Sequence, residues 1–260
     1  NMKSDVDIKN MKSISQEAFE MVKNYKGSHS GEHGDGIVRS EFHEMMFGKK
    51  IINAFEEIKD TFDNKNLLNP GKIVRPYKSN DRSLMRYKSG YQANNINTHY
   101  DWSNWGQFSD AVEMCNNNGA CRKLDSGVMC PSYRVTKEEK DLVRGRANTL
   151  RLALSNQLPE GSFASKDMYE TMELCVSCKA CQRECPMSVD MAKMKSEFLS
   201  HYYKKFSMRI KDRVISDMPR LIWLLKIVAP IFNKVKNLPL ISNIVKRFGF
   251  ATEREMPEVQ

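Results

Sequence analysis

Long apolar runs are missing. No stretch reaches the roughly 18–20 residues that a membrane-spanning helix needs, so no span is expected. The first residues, Asn1-Met2-Lys3-Ser4-Asp5, lack the apolar core of a secretory signal, and the cytoplasm is the expected compartment. Cysteine is missing before Cys115 and after Cys185, so all seven fall in one short stretch. A reducing compartment excludes a disulfide framework. Thiolates gathered in such a compartment point instead to metal. No internal repeat is present beyond the two Cys clusters.

The chain has 260 residues, enough for one or two small domains with cores of their own. Its net charge is +9, unevenly placed: from His201 to Gln260 there are 12 Lys and Arg against five Asp and Glu, an excess of seven. Nucleic acid, an anionic membrane surface and an acidic partner each suit such a tail, as does a plain solvated helix face. No nucleic-acid partner is expected. A peripheral contact with the inner face of the membrane stays open.

The predicted organisation is mainly α. Residues 1–76 form an end piece with a helical pattern at Ile14, Ala18, Phe19, Met21 and Val22. A Gly-rich loop follows at Gly27–Gly36, and then a helix around Phe42–Phe62. Ile51, Ile52, Ala54, Phe55 and Ile58 are spaced for one buried stripe on it, and Asn69-Pro70-Gly71 breaks the pattern. Residues 77–110 read as a linker, with Tyr100, Trp102 and Trp105 as candidates to pin it to the next domain. Residues 111–200 are the Cys domain, helical between its clusters over Glu138–Leu154. Residues 201–260 are a basic helical tail. Its apolar stretch Leu221–Phe232 suits a core or interfacial helix rather than a span, and Pro219, Pro230 and Pro239 mark helix starts or kinks.

The second Cys cluster reads Cys175-x2-Cys178-x2-Cys181-x3-Cys185-Pro186. This is the ligand run of bacterial ferredoxins, in which the fourth Cys reaches a different cluster when two are present. Zinc is the alternative, because paired C-x2-C units also build zinc sites. Two successive x2 gaps followed by x3-Cys-Pro favour iron and sulfide. The first cluster reads Cys115-x5-Cys121-x8-Cys130-Pro131, a run with Asn118 where the middle thiolate would stand. Its spacing resembles the iron–sulfur subunits of succinate dehydrogenase and fumarate reductase. Crossing ligands between the motifs would put a [4Fe–4S] cluster on Cys175, Cys178, Cys181 and Cys130. Cys115, Cys121 and Cys185 would then hold a second cluster, [3Fe–4S] or [4Fe–4S]. The competing scheme is a single cluster on Cys175, Cys178, Cys181 and Cys185. Arg122, Lys123, Lys179 and Arg183 lie close in sequence, as does Arg144-Gly145-Arg146. Cations there would offset cluster charge, or simply keep a loop soluble.

Two further segments carry a family resemblance. Gly27-Ser28-His29-Ser30-Gly31-Glu32-His33-Gly34-Asp35-Gly36 and Asn66-Leu67-Leu68-Asn69-Pro70-Gly71-Lys72-Ile73 resemble the C-terminal domain of FAD-linked oxidases of the vanillyl-alcohol-oxidase type. D-lactate and D-2-hydroxyglutarate dehydrogenases belong to that family. The Cys segments, with Arg144-Gly145-Arg146-Ala147-Asn148, resemble the subgroup that fuses the flavoprotein to an iron–sulfur module. The fold implied is an α-helical ferredoxin-type iron–sulfur domain preceded by an α+β remnant of the oxidase C-terminal domain. The function implied is part of a flavin-dependent D-2-hydroxy-acid dehydrogenase, passing electrons from FAD through iron–sulfur clusters to a quinone or protein acceptor.

By the same resemblance Glu32 is a ligand to a divalent metal, often zinc, that binds the substrate carboxylate and hydroxyl. His33 is the base for the hydroxyl proton, and Asn69 lies near the flavin. A His titrating near neutrality suits the proton. His29 has no family role and reads as incidental; His43 reads as an ordinary surface or interface residue. The family's FAD-binding domain would precede Asn1, so FAD and the metal are expected only with that missing part or subunit. The isolated chain is expected to be inactive. The rival functions are a stand-alone electron-transfer subunit of a separate flavoprotein, and a zinc-stabilised interaction or nucleic-acid-binding protein.

Overall fold

The computed structural model describes residues 2–30, 32–235, 238–249 and 251. Gly31 of the Gly-rich loop and the end of the basic tail lie outside the described residues. The rest divides into two units, Asn1–Gln92 and Ala93–Gln260. The stretch read as a linker is thus shared, residues 77–92 going with the first unit and 93–110 with the second. Every described element is helical, in line with the mainly α expectation.

The first unit opens with α1, Asp5–Asn24, capped by the Ser4 side chain, which accepts from the Asp7 amide at 3.2 Å. Two short helices, α2 (Gly36–Ser40) and α3 (His43–Phe47), precede α4, Lys49–Phe62. The single helix expected over Phe42–Phe62 is therefore broken, at Gly48, whose φ of 80° interrupts the helical path. Ile8, Phe42 and Val74 are the buried apolar side chains of this unit among the described residues. The expected stripe on α4 is not covered within it: no residue of α4 is buried. No strand occurs among the described residues, so the β part of the α+β remnant is not found in this unit. Residues 66–76 turn repeatedly instead, with left-handed backbone at Asn66, Asn69, Ile73 and Arg75 and with Pro70 and Pro76 unable to donate.

The second unit holds the main core. Helices α5 (Phe108–Glu113), α6 (Pro131–Thr136), α7 (Val143–Leu154), α8 (Lys166–Glu173), α9 (Ala180–Glu184) and α10 (Met191–Lys205) surround it. On α7, Val143, Arg146, Ala147, Leu150 and Leu154 recur every three or four residues and are all buried. The four apolar ones meet Phe108, Val112, Met168, Met172, Met194 and Phe198 in one apolar cluster. Gly145 lets α7 approach the preceding 3₁₀ turn, Glu139–Asp141: a Cβ there would lie 2.0 Å from the Glu139 carbonyl oxygen. Trp102 joins the core, and its indole donates to Glu197 on α10 at 3.1 Å.

Beyond the core run α11, Ile210–Val235, and α12, Pro239–Arg247. Pro219 and Pro230 sit inside α11, and Pro239 opens α12 at its first turn. Trp223, Ile227, Ile231 and Leu240 are exposed. No helix among the described residues is long and apolar enough to cross a membrane.

Candidate iron–sulfur centre

Four cysteines from two distant parts of the chain line one hollow. Cys175, Cys178 and Cys181 come from the loop between α8 and the start of α9, and Cys130 is the residue before Pro131 of α6. The hollow is partly open to solvent, with a cavity volume of about 20 Å³. Left-handed backbone at Cys130, Ser177 and Lys179 folds both loops around it. Cys130 and Cys181 are buried, Cys175 is half-buried and Cys178 is exposed.

Among the described residues, the group whose metal-ligating atoms all lie within 4.8 Å of one another is His29, Asp35 and His43; no three sulfurs meet that condition. A single tetrahedral zinc ion would draw its thiolates to roughly 3.8 Å from each other, given a Zn–S bond of ≈2.3 Å. The wider spacing of the sulfurs suits a polynuclear core.

Burial pushes the Cys130 thiol up to about 12, against the Val143 amide, which donates to its Sγ at 3.3 Å. Burial raises Cys121 and Cys181 as well. Such thiols keep their protons until a metal replaces them, so loading the site releases protons. Arg146 lines the hollow and is itself buried, held by the Thr171 carbonyl at 3.0 Å and by Asp141 Oδ1 at 3.3 Å. Lys179 also lines the hollow. Lys195 donates to the carbonyls of Glu173 and Cys175, at 3.1 and 2.6 Å, tying α10 to the start of the Cys175 loop. The donor set, its amide hydrogen bond and the adjoining cations fit a cluster that carries net negative charge.

Cys115 and Cys121 are both buried, close enough for each thiolate to disfavour the other, with Arg144 beside Cys121. The Cys115 Sγ lies 3.8 Å from Asn117 Oδ1. Asn118, which occupies the missing thiolate position, turns its amide inward on its own loop, accepting from the Ala120 amide at 2.8 Å. Cys185 follows α9, half-buried and packed against the same core. Arg122 reaches the Tyr133 hydroxyl at 3.4 Å.

Glu184, between Cys181 and Cys185, carries no sequence signal of its own. Its carboxylate accepts from the amides of Val128 at 2.9 Å and Met129 at 3.0 Å, just before Cys130. Those hydrogen bonds hold it below the usual carboxylate range. They fasten the first motif to the second.

In the first unit Glu32 and His33 project outward, with side chains 90% and 81% exposed and His33 Nε2 3.6 Å from Glu32 Oε1. Asn69 lines an open groove with Phe55, Ile58, Leu68 and Val74. His43 is not a surface residue: it is 2% exposed, its ring held between the Ile73 carbonyl and Asp35.

Comparison with known proteins gives two family matches. Residues 1–73 match FAD linked oxidases, C-terminal domain, and residues 111–189 match the 4Fe-4S dicluster domain. D-2-hydroxyglutarate dehydrogenase of Escherichia coli is 27% identical over 91% of this chain and 26% of its own length. The Pseudomonas putida protein of the same name is 28% identical over 94% of this chain and 27% of its own length. Glycolate oxidase subunit GlcD of Bacillus subtilis is 40% identical over 22% of this chain and 12% of its own. The resemblance to FAD-linked D-2-hydroxy-acid dehydrogenases with an iron–sulfur module thus extends over most of the chain. The chain spans about a quarter of the length of the D-2-hydroxyglutarate dehydrogenases it matches. No solved structure matches.

Proposed function

We propose that this chain is the iron–sulfur-bearing part of a flavin-dependent D-2-hydroxy-acid dehydrogenase, delivering electrons to a quinone or protein acceptor. In this reading residues 1–76 are the end of the oxidase C-terminal domain, 77–110 connect it onward, 111–200 hold the clusters and 201–260 are the basic tail. The names of the relatives favour D-2-hydroxyglutarate over D-lactate as the substrate. The observation that carries the reading is the shared hollow of Cys130, Cys175, Cys178 and Cys181.

Cys175, Cys178, Cys181 and Cys130 would hold a [4Fe–4S] cluster. Cys115, Cys121 and Cys185 would hold the second, [3Fe–4S] or [4Fe–4S]. Glu32 would ligate a divalent metal, zinc in this reading, with further ligands from the FAD-binding part; its exposed carboxylate is free to meet them. His33, beside it, takes the proton from the substrate hydroxyl. Asn69, which lines a groove with Phe55 and Ile58, would lie near the flavin. FAD, when bound, would supply the hydride acceptor for the substrate carbon, and the cysteines above would hold the one-electron carriers beyond it. The exposed Trp223, Ile227 and Ile231 and the basic Lys226 support a peripheral membrane contact. Sedimentation with anionic vesicles tests that contact.

The decisive experiment is anaerobic purification with iron and sulfide analysis of two variants. The crossed scheme predicts about seven or eight irons per wild-type chain. Cys130→Ser should lose the [4Fe–4S] cluster, and Cys185→Ser should lose only the other. A single cluster on the second motif would give about four irons, kept in Cys130→Ser and lost in Cys185→Ser. Dye reduction by D-2-hydroxyglutarate is expected only when the FAD-binding part is supplied. Turnover by the chain alone would refute that division of labour.

A further inference from the structure

We propose that His29, Asp35 and His43 form a separate metal site in the first unit, for one divalent transition-metal ion of the zinc type. His29 lies in the loop after α1, Asp35 immediately precedes α2, and His43 opens α3. Their ligating atoms all lie within 4.8 Å of one another. A tetrahedral zinc ion bound at 2.0–2.2 Å sets its ligand atoms roughly 3.3–3.6 Å apart, so a small closing movement completes the site.

Three observations point to a cation there. His29 is 7% exposed, and neither of its ring nitrogens closes a hydrogen bond. Asp35, His43 and Arg39 act on it, and the Arg39 backbone approaches the ring without closing a bond of good geometry. Asp35 Oδ1 is also buried and closes no hydrogen bond of good geometry, although the Ser30 hydroxyl is near. Buried polar atoms in native proteins normally have partners, and a bound ion is one of the standard reasons for an exception. The third observation is the orientation of His43. Its Nδ1 lies 3.3 Å from the Ile73 carbonyl and its Nε2 2.8 Å from Asp35 Oδ2. Metal-ligating histidines are held by N–H donation from one ring nitrogen to a group such as a backbone carbonyl, which leaves the other for the ion.

A His43 N–H would serve Asp35 Oδ2 but leave Asp35 Oδ1 and the His29 ring nitrogens without a partner of good geometry. One metal ion serves all three residues. Phe19 and Phe47 wall the His29 ring, at centroid distances of 5.0 and 5.9 Å, and keep competing donors away. Two imidazoles and a carboxylate select zinc, cobalt, nickel or ferrous iron over calcium or magnesium. The ion would tie both ends of the 29–35 loop to α3, steadying the segment that carries Glu32 and His33. The site does not depend on the flavin-site role of Glu32, whose side chain points outward.

The test uses the full chain with its clusters reconstituted under anaerobic conditions, so that the thiolates are occupied. Zinc is then titrated calorimetrically, and the bound zinc is examined by X-ray absorption. The expected result is one zinc with a shell of nitrogen and oxygen at about 2.0–2.1 Å and no sulfur at about 2.3 Å. Affinity should fall at least tenfold in His29→Phe and in His43→Gln, and stay unchanged in Glu57→Ala, on exposed α4 surface. His29→Phe fills the aromatic wall and preserves packing, so it decides the matter if His43→Gln fails to fold. A wild-type chain that binds no zinc, a sulfur-containing shell, or wild-type affinity in His29→Phe would each overturn the proposal.

Discussion

Glu197 lies fully buried on α10, where a carboxylate needs several donors to remain charged. It has them. The His99 amide donates at 2.9 Å and the Tyr100 amide at 3.0 Å, the Trp102 indole at 3.1 Å, and His201 Nε2 lies 3.3 Å away. Burial alone would raise its pKa; the two amides, the indole and His201 outweigh that and hold it below the usual range. A carboxylate depressed in the folded state stabilises it above the unfolded pKa, about 4.3 for Glu, and that contribution is lost as the pH falls through the folded value. Glu197→Gln cannot satisfy the same donors, and with charge-assisted bonds contributing about 1.5–3 kcal/mol each it should destabilise the second unit by about 3 kcal/mol near neutrality. Denaturant unfolding of both chains across pH 3–7 checks this. The gap between them should be widest at pH 6–7 and close below about 4.3. A gap independent of pH would mean that the cost is one of shape rather than charge. Acid loss of the clusters affects both chains alike and cancels in the difference.

The paired Cys loops show what one short element can and cannot disclose. The spacing Cys175-x2-Cys178-x2-Cys181 identifies three corners of a cluster because a single loop must wrap them, and all three line one hollow. Cys130 could be assigned to them only by analogy with crossed ferredoxin motifs, since nothing within its own loop encodes a partner 45 or more residues away. Glu184 was not legible at all: its role consists of hydrogen bonds to Val128 and Met129, 55 or 56 residues away. His43 misled for the same reason, because the contacts that bury it come from Asp35 and from Ile73, 30 residues on. The buried apolar stripe of α7, by contrast, is periodic within one helix and was readable as a helical pattern. Glu184 is only half-buried, so its removal should not unfold the domain. Glu184→Ala should free the 122–129 loop and loosen the Cys130 corner. Bleaching by an iron chelator under anaerobic conditions should then run several-fold faster than in the wild type, with the starting iron content unchanged. Equal rates would show that the loop is held by Arg134, whose guanidinium also donates to the Ser126 and Gly127 carbonyls at 2.7 Å.

At the scale of the molecule the two units differ in how well they are closed. The second has a continuous core from Trp102 to Phe198, with buried thiols at its edge. The first has Ile8, Phe42 and Val74 buried, and exposes Ile51 and Ile58 of α4 together with Leu67 and Leu68 beyond it. An amphipathic helix gains most of its stability from the apolar face it buries. By that rule α4, with no buried residue, should open far more readily than α7. Contiguous exposed apolar surface of this kind marks a face that another surface covers, and in the proposed enzyme that surface belongs to the FAD-binding part. Hydrogen exchange on the cluster-loaded chain should therefore show α4 amides exchanging at least tenfold faster than those of α7. Adding the FAD-binding part should slow α4 and leave α7 unchanged, because apolar burial raises the cost of local opening only where it occurs. Equal protection of α4 and α7 in the chain alone would mean that the first unit is stable without its groove covered, and the groove would then lose its claim as the flavin-side surface.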